Sequence, residues 1–399
     1  MSAAATPFRW PSSWTDAESV DLLRTTPIDF LLLPADAKYD RVRTRARELN
    51  IAVAEAPPPE VTVAAGAWPG VKAGRGGGDA SAGPTGVPWV DSNGWLVRLT
   101  AALHPGKKVW IEGPPKDRPF FPPASYELAV ADCAAHGGQW ILALDDHLAG
   151  GRGTDSPAWR RMSAATAYFH SHQDSSAFTP AAVLGIVSDF TGPNEFFSQE
   201  LLNLLARAGM HYRIVLPDKL DLSGLRAILY ADQQPPSEAL RREAARFVES
   251  GGLLITTPVW GQHPGPVSPD APPRFGIRAS GKGRIAAALA APDDPWQFAN
   301  DSVILVSHRY DLVRCFNSGS FASYYTHSPD RKRALVHLLF YADRGPAEAS
   351  VRIAGKFRTA AMSTVDRPQF SAVPAEFNGD WVEVHLPPVP PYVAIELTA

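Results

Sequence analysis

The chain has 399 residues and a mass of 43.0 kDa, with 45% hydrophobic residues, enough for two or three domains with real cores. Its net charge of −3 gives neither the basic field that nucleic acid requires nor an attraction to anionic membranes. Two cysteines, Cys133 and Cys315, lie far apart without a CxxC, which excludes a disulfide framework and a zinc–cysteine site.

The opening "MSAAATPFRWPSSW" lacks a charged n-region and an apolar h-region, and no stretch reaches the ~20 apolar residues of a membrane span, so a cytoplasmic location is expected. "IDFLLLP" (28–34) reads as a strand, "DRVRTRARELN" (40–50) as a helix, and "IAVAEAP" (51–57) and "VTVAAGAWPG" (61–70) as strands. The glycines of "GRGGGDASAGPTG" (74–86) mark a loop. "GWLVRLTAALH" (94–104) is helical, "KVWIEG" (108–113) a strand, "ASYELAVADCAAHGG" (124–138) a helix and "QWILALDD" (139–146) a strand. Strands alternating with helices imply parallel pairing. A complete eight-stranded barrel takes ~200–250 residues. Residues 1–175 are therefore expected to form a reduced or irregular (β/α) barrel.

From residue 176 the pattern becomes regular. "AVLGIVSDF", "HYRIVLP", "LRAILYADQ" and "LLITTP" read as strands, separated by the helices "NEFFSQELLNLLARAG" and "SEALRREAARFVESGG". This is a doubly wound α/β layout over 176–275, with Gly209 and Gly251–Gly252 where helix C-caps belong. Residues 276–399 show alternating runs such as "ASVRIAG", "WVEVHLP" and "YVAIEL", which predict a small, mainly β domain. Within it, "RKRALVHLLFYAD" (331–343) reads as the one long helix, in a strand–turn–helix unit.

Two segments carry a family resemblance. The middle part has a helix followed by a strand at Gly209, an Asp221–Leu222–Ser223 turn, and Phe247–Val248–Glu249 followed by Gly251–Gly252. The segment before it runs "VWIEGPP…ELAVADCAAHGGQWILALDD", with Ala135–His136–Gly137 inside. Together, over roughly 105–260, these resemble the barrel end and following domain of glycoside hydrolase family 42 β-galactosidases. The resemblance implies a glutamine-amidotransferase-like middle domain, assembly as a homo-oligomer (a trimer ahead of a dimer), and Glu112 at the position of the nucleophile. The sequence departs from the family in having no Asn-Glu pair before Glu112 to supply the acid/base; only Asn194–Glu195 matches. No cysteine stands at the strand ends of the middle part, so work there is expected to be structural, with Asp232 and Gln233 dispensable.

Barrel sites form at the carboxyl ends of strands, and retaining glycosidases use two carboxyls about 5 Å apart. Glu55, Asp91, Glu112, Asp145 and Asp146 meet that placement. One reading makes Glu112 the nucleophile, with Glu55, Asp91 or Asp145 as the second catalytic carboxyl; the other has Glu112 anchor a loop by pairing with Lys116 or Arg118. Trp68 and Trp89 near the same ends, with Asn93, Asp146 and His147, are candidates for holding a sugar, whereas Trp110 lies within its strand. His170, His172 and Asp174 are spaced by two but sit at a helix end, and no metal or cofactor is expected. The predicted function is a glycoside hydrolase acting on a β-linked sugar. The alternative is a carbohydrate-binding or assembly protein derived from one.

Overall fold

The computed structural model describes residues 5–71, 90–113, 122–144, 156–173, 177–261, 263–269, 271–342 and 345–399. Its first part contains six short parallel strands: β1 (Pro7–Arg9), β2 (Phe30–Leu32), β3 (Ala52–Ala54), β4 (Val61–Ala65), β5 (Lys108–Glu112) and β6 (Gln139–Trp140). β1, β2 and β3 pair in that order, and so do β4, β5 and β6. Just beyond β6 a parallel Phe8–Leu142 bridge joins the two groups: Arg9 N–H donates to the Leu142 carbonyl at 2.8 Å and Leu142 N–H to that of Pro7 at 2.9 Å. The spatial order is therefore β4-β5-β6-β1-β2-β3, the chain order read in a circle.

Side chains alternate across this sheet, as strand geometry requires. Phe30, Leu32, Val61, Trp110 and Ile141, with Ala54 and Val63, form one cluster. The intervening Leu31, Val109, Ile111, Trp140 and Leu142 join another, with the helices. Strands at both ends of the row, β3 and β4, contribute to the first cluster, so the sheet curls around it. The helices are α1 (Asp40–Glu48), α2 (Gly94–Leu103), α3 (Pro123–Ala134) and α4 (Pro157–Ser171), the last capped by Ser156 Oγ accepting from Trp159 N–H at 3.1 Å.

The middle sheet comprises β7 (Leu184–Val187), β8 (Tyr212–Val215), β9 (Ala227–Tyr230), β10 (Leu253–Thr256), β11 (Phe275–Ser280) and β12 (Gly283–Ala288), in the order β8-β7-β9-β10-β12-β11. Only β11 runs antiparallel to its neighbour. One face packs on α5 (Glu195–Arg207) and α7 (Pro295–Val306), the other on α6 (Glu238–Glu249). Gly209 and Gly251 have φ of 75° and 118° just past α5 and α6, as their C-cap positions require. The pairing of β12 with β10 and the packing of α7 draw residues up to 306 into this part. The sequence pattern instead assigns them to the C-terminal region and shows no helix at α7.

The C-terminal strands are β13 (Val313–Phe316), β14 (Phe321–His327), β15 (Arg333–Phe340), β16 (Ala349–Ala354), β17 (Thr359–Thr364), β18 (Arg367–Ala372), β19 (Ala375–Asn378), β20 (Trp381–Leu386) and β21 (Tyr392–Thr398). They form a four-stranded sheet, β13-β16-β20-β19, and a larger one, β18-β17-β21-β15-β14, with Thr179–Pro180 at its edge. A common core lies between the two sheets. β15 corrects the helix expected over 331–343. Its apolar run is buried between β14 and β21, and a run of that length fits a central strand as well as a helix. The outer layer of the first part is completed from here, because Leu335, Leu339, Tyr341 and Tyr392 belong to the same cluster as Phe8, Trp140 and Met162.

Candidate functional site

Glu112 ends β5 two residues after Trp110, so alternation turns it to the same inner side, above the Trp110–Ile141 cluster. Arg9 ends β1, next to Phe8, which packs outward; Arg9 therefore also faces the inner side. The two side chains form an ion pair across the carboxyl rim and are 49% and 44% exposed. Among the described residues the ion-pair partner of Glu112 is thus an arginine from the N-terminal strand; Lys116 and Arg118 lie outside the described residues.

Around this pair the rim is closely built. Gly66 N–H donates to the Glu112 carbonyl at 2.9 Å. Gly113 must lack a side chain, since a Cβ there would run into the Trp140 indole. Trp68 is half-buried, with its ring centroid 5.1 Å from that of Trp140 and 5.3 Å from that of Tyr126. Trp110 is wholly buried beneath, and its indole N–H has no partner.

The remaining candidates disperse. Glu55 is exposed one residue past Ala54, and the alternation that turns Ala54 inward turns Glu55 away. Asp91 lies in a two-residue antiparallel pair with Gly70–Val71, and its charge acts on Arg207 of α5. Asn93 is buried, and its amide is committed to the backbone of Ala67: the oxygen accepts from N–H at 2.9 Å and the nitrogen donates to C=O at 2.8 Å. Asp145, Asp146, His147 and Trp89 lie outside the described residues, as does Asp174. The His172 ring nitrogens bond the carbonyls of Tyr168 and Pro368.

Sequence reasoning missed two buried carboxyls on α3. Asp132 is fully buried; it accepts from the Asn93 N–H and, at 2.9 Å, from the Tyr341 hydroxyl. Burial raises its pKa to about 6, against the pull of those donors. Glu127 is raised to about 7, again chiefly by burial. The Arg161 charge at 3.3 Å opposes this shift and Asp366 adds to it. A signal was available: the two flank the apolar stretch Leu128–Ala131 of a helix too hydrophobic to have a solvent face. His136, by contrast, packs as a neutral ring against Tyr324 at 4.6 Å, its pKa lowered by burial to about 3.

Chemically, the rim offers a hydrogen-bond-accepting carboxylate beside a donating guanidinium. A second carboxyl facing Glu112 from β4 is absent, since that strand ends in Ala65-Gly66-Ala67. Among the described residues, no cluster of three or more His, Cys, Asp or Glu could hold a metal ion, and no helix is long and apolar enough to cross a membrane. Two surface grooves, of about 670 Å³ beside His263–Pro266 and Arg278 and about 490 Å³ between Asp21–Thr26 and Trp159–Ser163, do not include Glu112.

No protein-family model matches the sequence, and no curated protein matches it. Solved structures do. An α-L-fucosidase, isoenzyme 2 from Paenibacillus thiaminolyticus, aligns with a TM-score of 0.51 at 11% identity, over 76% of this chain and 62% of that one. A β-galactosidase from Bacillus circulans sp. alkalophilus gives 0.54 at 11%, over 91% and 66%. A catalytic mutant of Gan42B, a GH42 β-galactosidase from G. stearothermophilus, gives 0.53 at 11%, over 77% and 56%. The chain spans 56–66% of the length of these structures. The resemblance to family 42 β-galactosidases noted in the sequence is thus present in the structure, as a likeness of fold.

Proposed function

We propose that the chain is a carbohydrate-recognising protein built on a reduced, six-stranded glycosidase barrel, with its sugar site at the carboxyl rim around Glu112 and Arg9. The middle part serves as a glutamine-amidotransferase-like structural unit. The observation that carries this reading is the half-exposed Arg9–Glu112 pair on the inner side of the rim. A carboxylate accepts from sugar hydroxyls and a guanidinium donates to them. The fold likeness to proteins named as β-galactosidases and a fucosidase supports a glycan as the ligand.

Binding without turnover is the first form of this proposal. Two-carboxylate hydrolysis needs a second carboxyl within roughly 5–10 Å of Glu112, and β4 supplies none while Glu55 and Asp91 point elsewhere. Hydrolysis is the second form, favoured by one observation: Glu112 stands at the carboxyl end of its barrel strand, where barrel enzymes place catalytic residues. In that case Asp145, three residues beyond the Leu142 bridge, is the candidate acid. A panel of chromogenic β-glycosides, with calorimetry on the matching free sugars, tests both forms. The expected result is binding that weakens at least about tenfold in Glu112→Gln and in Arg9→Ala, without chromophore release. Release that disappears in Glu112→Gln moves the assignment to hydrolysis. Binding equally strong in both variants removes the site from the rim.

A further inference from the structure

The outward face of the sheet β13-β16-β20-β19 has a charge pattern that nothing in the sugar site uses. Its inner face gives Val313, Val351, Ile353, Val382 and Val384 to the core. The residues between them point out. Strand register aligns four of these in one row: Arg314 opposite Arg352, Arg352 opposite Glu383, and Glu383 opposite Glu376. At a strand spacing of about 4.8 Å the row is roughly 14 Å long, two cations followed by two carboxylates.

Within one molecule this order is poor. Like charges directly across a strand pair are destabilising, and the row contains two such pairs. The central opposite pair does not relieve them, because among the described residues no ion pair joins Arg352 and Glu383. The Arg352 guanidinium instead lies over the Trp381 ring, 4.5 Å from its centroid, and Arg314 lies 5.3 Å from that of Phe316. Among the described residues, the ion-pair partner of Glu376 is His385, at 3.5 Å. Arg314, Arg352 and Glu376 are exposed, and the row is flanked by Trp381 on one side and by Phe316, 40% exposed, on the other.

A row of two positive and two negative charges is its own complement when reversed. We infer that this face is an isologous interface between two copies of the chain, related by a two-fold axis parallel to the strands. That axis lays Arg314 and Arg352 of one copy over Glu376 and Glu383 of the other, twice by symmetry. A two-fold axis along the row sets like charge over like and is excluded. A three-fold ring does not bring a patch onto itself, so the geometry selects a dimer over the trimer that the sequence resemblance implied. The strand directions remain nearly aligned, which is one of the two common ways for sheets to stack. Trp381 and Phe316 then lose water from their exposed faces, supplying the apolar part of the contact.

The test is a charge swap followed by light scattering and sedimentation at micromolar concentration. Wild type is expected to be dimeric, with a dimer that weakens as salt rises. Arg352→Glu sets carboxylate against carboxylate at both symmetric contacts with Glu383, and Glu383→Arg sets arginine against arginine. Each alone is expected to weaken the dimer at least about tenfold. Mixing the two single variants restores opposite charges at both contacts and is expected to recover a heterodimer, as is combining both changes in one chain. Recovery on mixing also shows that each variant is folded. A monomeric wild type, or single variants as dimeric as wild type, overturns the inference. So does a mixture that fails to recover while the doubly changed chain has a native circular-dichroism spectrum.

Discussion

Glu127→Gln is expected to stabilise the protein at alkaline pH and to change little at acid pH. Glu127 is 1% exposed, and one of its carboxyl oxygens has no hydrogen-bond partner. Its pKa rises from the ordinary 4.5 to about 7, first because burial penalises the anion. The folded state therefore holds the proton more tightly than the unfolded state does. Stability from this group is fully present below about 4.5, is lost as pH climbs to about 7, and stays lost above. At ~1.4 kcal/mol per unit the whole span is roughly 3 kcal/mol. The neutral amide does not titrate. At pH 8 the variant should gain roughly 3 kcal/mol over wild type, and at pH 5 only about 1 kcal/mol. Arg161 keeps a carboxylate in either case, since it also bonds Asp366 at 2.6 Å. Urea unfolding followed by tryptophan fluorescence at the two pH values measures the difference. A gain of equal size at both, or a loss at pH 8, refutes the assignment of burial as the dominant cause.

Two further outcomes follow from packing. Trp110→Ala should cost about 3–5 kcal/mol in the same denaturation assay, because Trp110 is the largest side chain in the inner cluster; Trp110→Phe, which removes an indole N–H without a partner, should cost less. Gly283→Ala should lower stability by about 2 kcal/mol or more, since its Cβ meets the backbone carbonyl oxygens of Val248 and Gly252, which cannot swing aside; a melting temperature equal to wild type would contradict that clash.

The middle sheet was legible in the sequence because each strand and helix from Leu184 to Thr256 is bounded by turn residues and keeps one period throughout. β1 was not: three residues between Pro7 and Pro11 carry no period, so Arg9 went unseen although it holds Glu112, the carboxylate that the sequence reading put forward as nucleophile. β15 was misread because the run from Ala334 to Phe340 is almost wholly apolar, and such a run has no alternation to distinguish strand from helix. α7 was overlooked for the opposite reason. Val303, Ile304 and Val306 favour strands, yet Asp294 caps the helix by accepting from Trp296 N–H at 2.9 Å, and Pro295 occupies its first turn. Of the rim, its strand-end position was readable from Glu112 and Trp68, while the ion pair depends on a contact spanning 103 residues.

The shared outer cluster has a consequence for how the protein is made. Phe8, Trp140 and Met162 are synthesised well before Leu335, Leu339, Tyr341 and Tyr392, with which they share a core. At roughly 5–20 residues per second, ribosomes need on the order of 10–45 s to pass from the end of α4 to β21. Throughout that time the parallel strands exist without the side chains that finish their outer layer. Until those residues emerge, the N-terminal part is expected to expose an unfinished apolar surface of the kind that makes folding intermediates aggregation-prone. A stop codon near residue 390 would be expected to leave it aggregation-prone despite an intact set of rim residues.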